Sequence, residues 1–184
     1  NWSKMTRFAL LVRGINVGGK NMVVMADLRQ QLTELGLSQV ETYINSGNIF
    51  FTTDLPRTQL VEELSTFFET YYPFIQRFSL LSREDYEAEC ANLPEWWTEE
   101  MARKDVLFYT EGLGRESVEE KLLALDLGEE VLHFGKLAIF WGKFSEESYA
   151  KTAYHKHLMK LPFYRQITIR NVNTFDKIGT LLKK

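Results

Sequence analysis

A segment rich in glycine and asparagine contains the residue types best suited to binding a ligand. It reads Arg13-Gly-Ile-Asn-Val-Gly-Gly-Lys-Asn21 and holds two cations, Arg13 and Lys20. Glycine permits positive φ and lets the backbone approach a ligand closely. Backbone N–H groups beside a lysine are a common arrangement for binding oxyanions. The segment therefore predicts a site for an anionic group.

The same segment matches most of a phosphate-binding P-loop, because Gly14, four residues, Gly19 and Lys20 have its spacing. Two departures argue against a nucleotide hydrolase. Asn21 stands where a serine or threonine would bind magnesium, and the helical pattern begins only near Met25. A P-loop needs its helix to begin at the Gly-Lys pair, so that the N-terminal amides meet the phosphate.

The elements around this segment predict a sheet covered by two helices. Apolar runs and alternating residues indicate strands, and apolar residues spaced by three and four indicate helices. The resulting order is that of the split βαβ, or ferredoxin-like, unit. The predicted elements are a strand at 7–13, a helix at 25–35, strands at 40–45 and 48–52, a helix at 60–72 and a strand at 75–81.

The turn at residues 45–48 is expected to lie beside the glycine-rich segment. The first helix makes the first two strands parallel, so their C-terminal ends lie at one edge of the sheet. For the turn by itself, the alternative is that asparagine and glycine serve only to form it. The predicted ligand-binding residues are Arg13, Gly14, Asn16, Gly18, Gly19, Lys20, Asn21, Asn45, Ser46, Gly47 and Asn48.

The same order of elements recurs later in the chain, without a residue-by-residue repeat. A Ser117-x-x-Glu120 capping box predicts the start of a helix there. The further predicted elements are a connecting helix at 82–93, strands at 105–110, 130–133, 137–141 and 167–170, a helix at 146–161, and a last helix that buries Phe175, Ile178, Leu181 and Leu182.

The predicted fold class is therefore α+β, with two ferredoxin-like βαββαβ halves packed together. The expected divisions are an N-terminal half at 5–81, a connecting helix and linker at 82–104, and a C-terminal half with an extra helix at 105–184.

Charge is distributed unevenly along the 184 residues, although the net charge is only −3. Residues 82–130 contain five basic and fifteen acidic residues, and residues 151–184 contain eight basic and one acidic. One interpretation is that the two segments neutralise each other across the fold. The other is that the basic segment binds an anionic partner such as nucleic acid.

Other features exclude several classes of protein. No apolar run approaches the roughly 18 residues that a membrane span needs, so no membrane association is predicted. A single cysteine, Cys90, cannot form an internal disulfide, and no secretory signal is expected. The expected location is the cytoplasm.

No residue is singled out as a catalytic acid, base or nucleophile. His155 and His157 are two apart on a predicted helix, so they point to different faces and cannot share a metal. The pairs of adjacent glutamates are expected to be solvated, and Cys90 lies on an apolar stripe. No metal site is predicted, and neither a cofactor, a reaction nor an oligomeric state follows from the residues.

Several motifs resemble a bacterial family known as domain of unknown function 1697. They are the segment Arg13–Asn21, then Met25-Ala-Asp-Leu-Arg29, then Thr42-Tyr-Ile-Asn-Ser-Gly-Asn-Ile-Phe50, and Arg170-Asn171 with Thr174. The resemblance runs from Met5 to the C-terminus, although a tryptophan expected near Val172 is absent. It implies a two-part α/β fold and no established activity.

Three hypotheses of function follow. The first is a site for a small anionic ligand, phosphorylated or nucleotide-like, at residues 14–21 and 45–48. The second is a nucleic-acid-binding module that uses residues 151–184, although residues 48–53 lack the RNA-recognition motif pattern. The third is a protein-interaction module without a small ligand.

Overall fold

The structure, a computed structural model, describes residues 4–145 and 160–184. Its first half contains a four-stranded sheet in the order β2-β3-β1-β4. Both β1 and β2 pair with β3 in antiparallel fashion, so β1 and β2 are parallel and end at the same edge. The strands are β1 (Thr6–Leu11), β2 (Ser38–Tyr43), β3 (Asn48–Thr53) and β4 (Ser79–Ser82).

Two helices, α1 (Met25–Glu34) and α2 (Arg57–Tyr71), accompany this sheet. Both were predicted from the spacing of their apolar residues. Leu28 and Leu32 of α1 and four residues of α2 are buried in one core with side chains of the strands. Each such burial contributes about 1.5–3 kcal/mol, which fixes the helices on the sheet and therefore fixes where the loop before α1 lies.

The second half repeats the arrangement, with a sheet in the order β6-β7-β5-β8. The strands are β5 (Arg103–Tyr109), β6 (Glu130–Phe134), β7 (Ala138–Lys143) and β8 (Ile167–Asn171). The helices described after α2 are α3 (Arg83–Ala91), α4 (Arg115–Leu123) and α5 (Val172–Leu182), with 3₁₀ turns at Glu95–Thr98 and Tyr164–Gln166.

Two sets of apolar contacts occur among the described residues of the second half. Val118 and Leu122 of α4 belong to the core that contains Leu107 and Trp141 of the sheet. Phe140, on the strand beside Trp141, contacts the rings of Trp97 and Phe175 edge-on. The burial of Phe175 and of the other three residues predicted for the last helix is confirmed.

Several predicted element bounds differ from the structure by two or more residues, and local contacts explain two of the differences. The fourth strand begins at Ser79 rather than residue 75, because the chain first turns at Ile75, whose N–H donates to the Tyr72 carbonyl oxygen at 2.8 Å. Helix α4 begins at Arg115, after Gly114, and not at the Ser117 capping box. Arg115 and Glu119 form an ion pair of 2.7 Å across this first turn, which stabilises the earlier start.

The fold class is confirmed as mixed α+β with two similar halves. By compactness the chain divides into one unit up to Glu84 together with Ile178–Lys184, and a second of Asp85–Lys177. Most of the helix predicted at 146–161 lies outside the described residues. None of the described helices is both long enough and apolar enough to cross a membrane.

Candidate functional site

The loop before α1 and the turn before β3 meet at the edge where β1 and β2 end. The side-chain amide of Asn16 donates to the Asn45 carbonyl oxygen at 2.9 Å. The backbone N–H of Val12 donates to the Gly47 carbonyl oxygen at 3.0 Å. The predicted proximity of the two segments is therefore confirmed. We call residues 12–24 together with residues 44–48 the paired-loop edge.

Asn16 holds this edge together. Its Nδ2 also donates to the Val23 carbonyl oxygen at 3.1 Å, and its Oδ1 accepts the Val23 N–H at 2.7 Å. The residue has φ +54°, a conformation that asparagine tolerates better than most side chains. One side chain therefore closes the loop onto itself and ties it to the turn of the second segment.

The tip of the loop is a tight hairpin turn. The Lys20 N–H donates to the Val17 carbonyl oxygen at 3.0 Å, and the two residues between, Gly18 and Gly19, have φ +59° and +72°. Positive φ at both central positions is the requirement of a type I′ turn, which explains the glycine pair. Asn21 closes the base of this turn, because its Nδ2 donates to the Gly14 carbonyl oxygen at 3.0 Å.

The turn at 44–48 is packed more tightly. Asn48 is buried, and its Nδ2 donates to the Tyr43 carbonyl oxygen at 3.1 Å and to Ser46 Oγ at 3.3 Å. Gly47 has φ +101°, and a Cβ there would run into the side chain of Val12. These two residues therefore shape the turn, as the turn-forming interpretation expected.

The polar residues of the edge include two cations and no acid. The segments 12–24 and 44–48 contain Arg13 and Lys20 and no aspartate or glutamate. Lys20 is exposed and Arg13 is half-buried. Exposed members of the predicted site are Gly14, Gly18, Gly19, Lys20, Asn21, Asn45 and Ser46. Such a surface can bind an anion through a cation, backbone N–H groups and a hydroxyl.

The start of helix α1 differs from that of a P-loop helix, which begins directly at the Gly-Lys pair. Helix α1 begins at Met25, four residues after Asn21, and its N-cap residue Val24 makes no side-chain capping bond. The structure therefore agrees with the argument against a P-loop hydrolase.

Sequence reasoning missed the apolar part of this edge. Val17, Met22, Val24 and Ile44 expose 68, 63, 59 and 53% of their surface. Ile44 also has φ +51°, which is unusual for a β-branched residue. The available signal was the presence of four large apolar residues in loops, outside any helical or strand period.

Sequence reasoning also missed Glu89, at the equivalent edge of the second half. The Tyr109 N–H there donates to the Leu137 carbonyl oxygen at 3.0 Å, as Val12 does to Gly47. Glu89 is only 5% exposed, and its carboxylate accepts the N–H groups of Lys136 at 3.0 Å and Leu137 at 2.6 Å. Glu89 lies 47 and 48 residues before the two residues that it bonds, so no local sequence motif indicates these contacts.

Tyr109 lies beside this second edge with a buried hydroxyl that has no hydrogen-bond partner. Burial raises the pKa of that hydroxyl, and the nearby Arg115 opposes the shift. The hydrogen bond that Arg115 donates to the Glu119 carboxylate raises the pKa of the Arg115 guanidinium. In the same half, burial lowers the pKa of the Arg170 guanidinium to about 10.

Other candidate groups have structural surroundings. Trp97 packs on Phe140 and Phe175, and Trp141 donates from Nε1 to Glu130 at 2.9 Å. Cys90 is half-buried. In the part of the chain that the structure describes, no group of three or more metal-ligating side chains occurs. His155 and His157 lie outside the described residues.

Comparison with known proteins agrees with this architecture. A conserved bacterial protein from Streptococcus pneumoniae, SP0830, is 69% identical in sequence and has a TM-score of 0.96. The match covers 97% of this chain and 99% of that one. No curated protein matches the chain. Residues 5–140 match the family described as "Protein of unknown function (DUF1697)". The chain therefore belongs to the DUF1697 family.

Proposed function

We propose that the paired-loop edge binds a small anionic ligand. The sequence predicts that this ligand is phosphorylated or nucleotide-like. The observation that supports this best is the combination of two cations, exposed backbone and a serine hydroxyl on a surface whose own residues include no acid. Oxyanions are the ligands that such groups prefer.

The fixed shape of the edge favours binding. The three bonds of Asn16 and the type I′ turn at Gly18-Gly19 hold the loop in one conformation before a ligand arrives. A preorganised loop loses little conformational entropy on binding, so more of the interaction energy contributes to affinity.

The roles within the site differ from residue to residue. Lys20 supplies the charge, and Ser46 and Asn45 supply exposed polar groups. The side-chain donors of Asn16, Asn21 and Asn48 hold the loops together, so their contribution is to position the backbone. This division favours recognition of an anionic group over recognition of a nucleobase edge.

A thermal-shift screen against inorganic phosphate, pyrophosphate, nucleotides and sugar phosphates tests the proposal. A ligand at about 100 times its Kd adds about 2.7 kcal/mol of stability, or roughly 5–10 °C in Tm. We expect Lys20→Ala to weaken binding about tenfold, because a charge-assisted contact is lost. Lys136→Ala is the matched control, since Lys136 is exposed on the corresponding turn of the second half.

A shift that Lys20→Ala leaves unchanged would place the ligand elsewhere and contradict the proposal. Short RNA and DNA oligonucleotides belong in the same screen, because the basic residues 151–184 lie partly outside the described residues and nucleic-acid binding stays a prediction. The cytoplasmic location also stays a prediction.

A further inference from the structure

The two halves present the same edge of their sheets. Val12 directly follows β1, and Tyr109 is the last residue of β5. Each donates its N–H to the carbonyl oxygen of the last residue of the turn before the third strand of its half. The strand orders and pairings are the same in both sheets. The turn that ends at Gly47 therefore corresponds to the turn that ends at Leu137.

The turn of the second half already holds a carboxylate. Both oxygens of Glu89 accept backbone N–H groups, from Lys136 at 3.0 Å and from Leu137 at 2.6 Å. Gly135 leaves the room for it, because a Cβ there would lie 2.5–2.6 Å from the carboxylate atoms. Two adjacent backbone amides of this turn thus form a receptor for a carboxylate, with charge-assisted bonds.

The corresponding turn of the first half is open to solvent at Asn45 and Ser46. The exposed cation Lys20 lies on the loop that Asn16 ties to this turn. A turn at the same position in the fold, joined to a loop with an exposed cation, suits a carboxylate that arrives on another molecule.

The surroundings of that turn suit an apolar group next to the carboxylate. The exposed apolar side chains are Val17, Met22, Val24 and Ile44, and all four lie on the paired-loop edge. In a sugar phosphate or a nucleotide, the group attached to the phosphate is a polar sugar, which would not cover these apolar side chains. An amphipathic acid would cover apolar area that is otherwise in water.

We propose that the anion bound at the paired-loop edge is the carboxylate of a small amphipathic molecule. Its carboxylate lies against the exposed residues Asn45 and Ser46 of this turn, where Lys20 supplies the positive charge, and its apolar group packs on Ile44 and Val17. This inference rests on the proposed function and narrows its ligand class.

Isothermal titration with N-acetyl-L-leucine, its uncharged amide, acetate and inorganic phosphate tests the ligand class. The acid is expected to bind at least about tenfold more tightly than the amide, which lacks the charge, and than acetate, which lacks the apolar group. Lys20→Ala is expected to weaken the acid about tenfold, whereas Lys136→Ala leaves its affinity unchanged.

The variant Ile44→Asn is expected to remove the apolar contact with the ligand without destabilising the fold. Asparagine tolerates the φ of +51° at this position better than isoleucine, so the variant should be at least as stable as the wild type. Its affinity for N-acetyl-L-leucine should fall about fivefold to tenfold, while its affinity for acetate stays the same.

The outcomes separate this inference from the function on which it rests. Lys20-dependent binding of phosphate, without binding of N-acetyl-L-leucine, would overturn the carboxylate assignment and leave an anion site. Equal affinity for the acid and its amide would overturn it as well. If no anion binds in a Lys20-dependent way, both the inference and the proposed function are wrong.

Discussion

The equivalent sheet edges of the two halves differ in what occupies them. In the second half, Glu89 reaches from α3 and binds two backbone N–H groups of the turn before β7. In the first half, the turn before β3 is joined to a long glycine and asparagine loop that carries Lys20. The comparison teaches that this fold can form an anion-binding turn at this edge, and that one half fills it internally.

The largest effect is expected from removing the internal carboxylate. Glu89→Ala leaves the N–H groups of Lys136 and Leu137 without their partner, and it removes a buried side chain. We expect the free energy of unfolding to fall by about 3–4 kcal/mol in urea denaturation. Glu120→Ala, at an exposed position of α4, should change it by less than about 0.5 kcal/mol. Equal effects of the two variants would show that the bonds from Lys136 and Leu137 to Glu89 do not stabilise the second edge.

The next effect concerns the tight contact between the two segments of the first edge. Gly47→Ala places a Cβ against Val12 at a φ of +101°, so it combines a steric clash with backbone strain. The expected loss of unfolding free energy is about 3 kcal/mol. Gly14→Ala is the control, because it has φ +68° but open space around the new Cβ, and should cost about 1 kcal/mol. A Gly47→Ala protein as stable as the Gly14→Ala protein would contradict the packing described for this turn.

A smaller effect is expected from Asn16→Asp, which keeps the shape of the side chain. The new oxygen would face the carbonyl oxygens of Val23 and Asn45 in place of a donor. Unfolding free energy should fall by about 2 kcal/mol, and amide hydrogen exchange of the loop should accelerate. Asn45→Asp, at an exposed side chain, should leave both quantities nearly unchanged. If loop exchange in Asn16→Asp matches the wild type, Asn16 does not hold the edge together.

Much of the first edge follows from the sequence because its causes are local or topological. Periodic apolar residues predict α1, and the βαβ connection makes β1 and β2 end together, which places turn 45–48 beside the loop. Glu89 escapes prediction because its bonds reach about 47 residues along the chain and depend on tertiary packing. The start of α4 also escapes, since a Ser-x-x-Glu pattern does not show whether the helix begins before it, and here it begins at Arg115.

The smallest effect is expected at Tyr109, the counterpart of Val12. Its buried hydroxyl has no partner, so Tyr109→Phe should raise the unfolding free energy at pH 7 by about 1 kcal/mol. Burial raises the pKa of this hydroxyl above its unfolded value of about 10. The wild type should therefore lose stability as the pH rises above about 10, and the phenylalanine variant should lose less.

Tyr72→Phe is the matched control, because the Tyr72 hydroxyl donates to Gln31 at 2.6 Å. That variant should be less stable than the wild type by about 1 kcal/mol at pH 7. Urea denaturation at pH 7 and at alkaline pH measures both variants. Destabilisation of similar size in the two would show that the Tyr109 hydroxyl has a partner after all.

The difference between the two edges is tested most directly by amide NMR during a titration with N-acetyl-L-leucine, followed by a titration with inorganic phosphate. The account predicts saturable shifts of the Asn45 and Ser46 amides with at least one of the two anions. The amides of Lys136 and Leu137, which already bind Glu89, should not move. Saturable shifts at Lys136 and Leu137, or none at Asn45 and Ser46 with either anion, would contradict it.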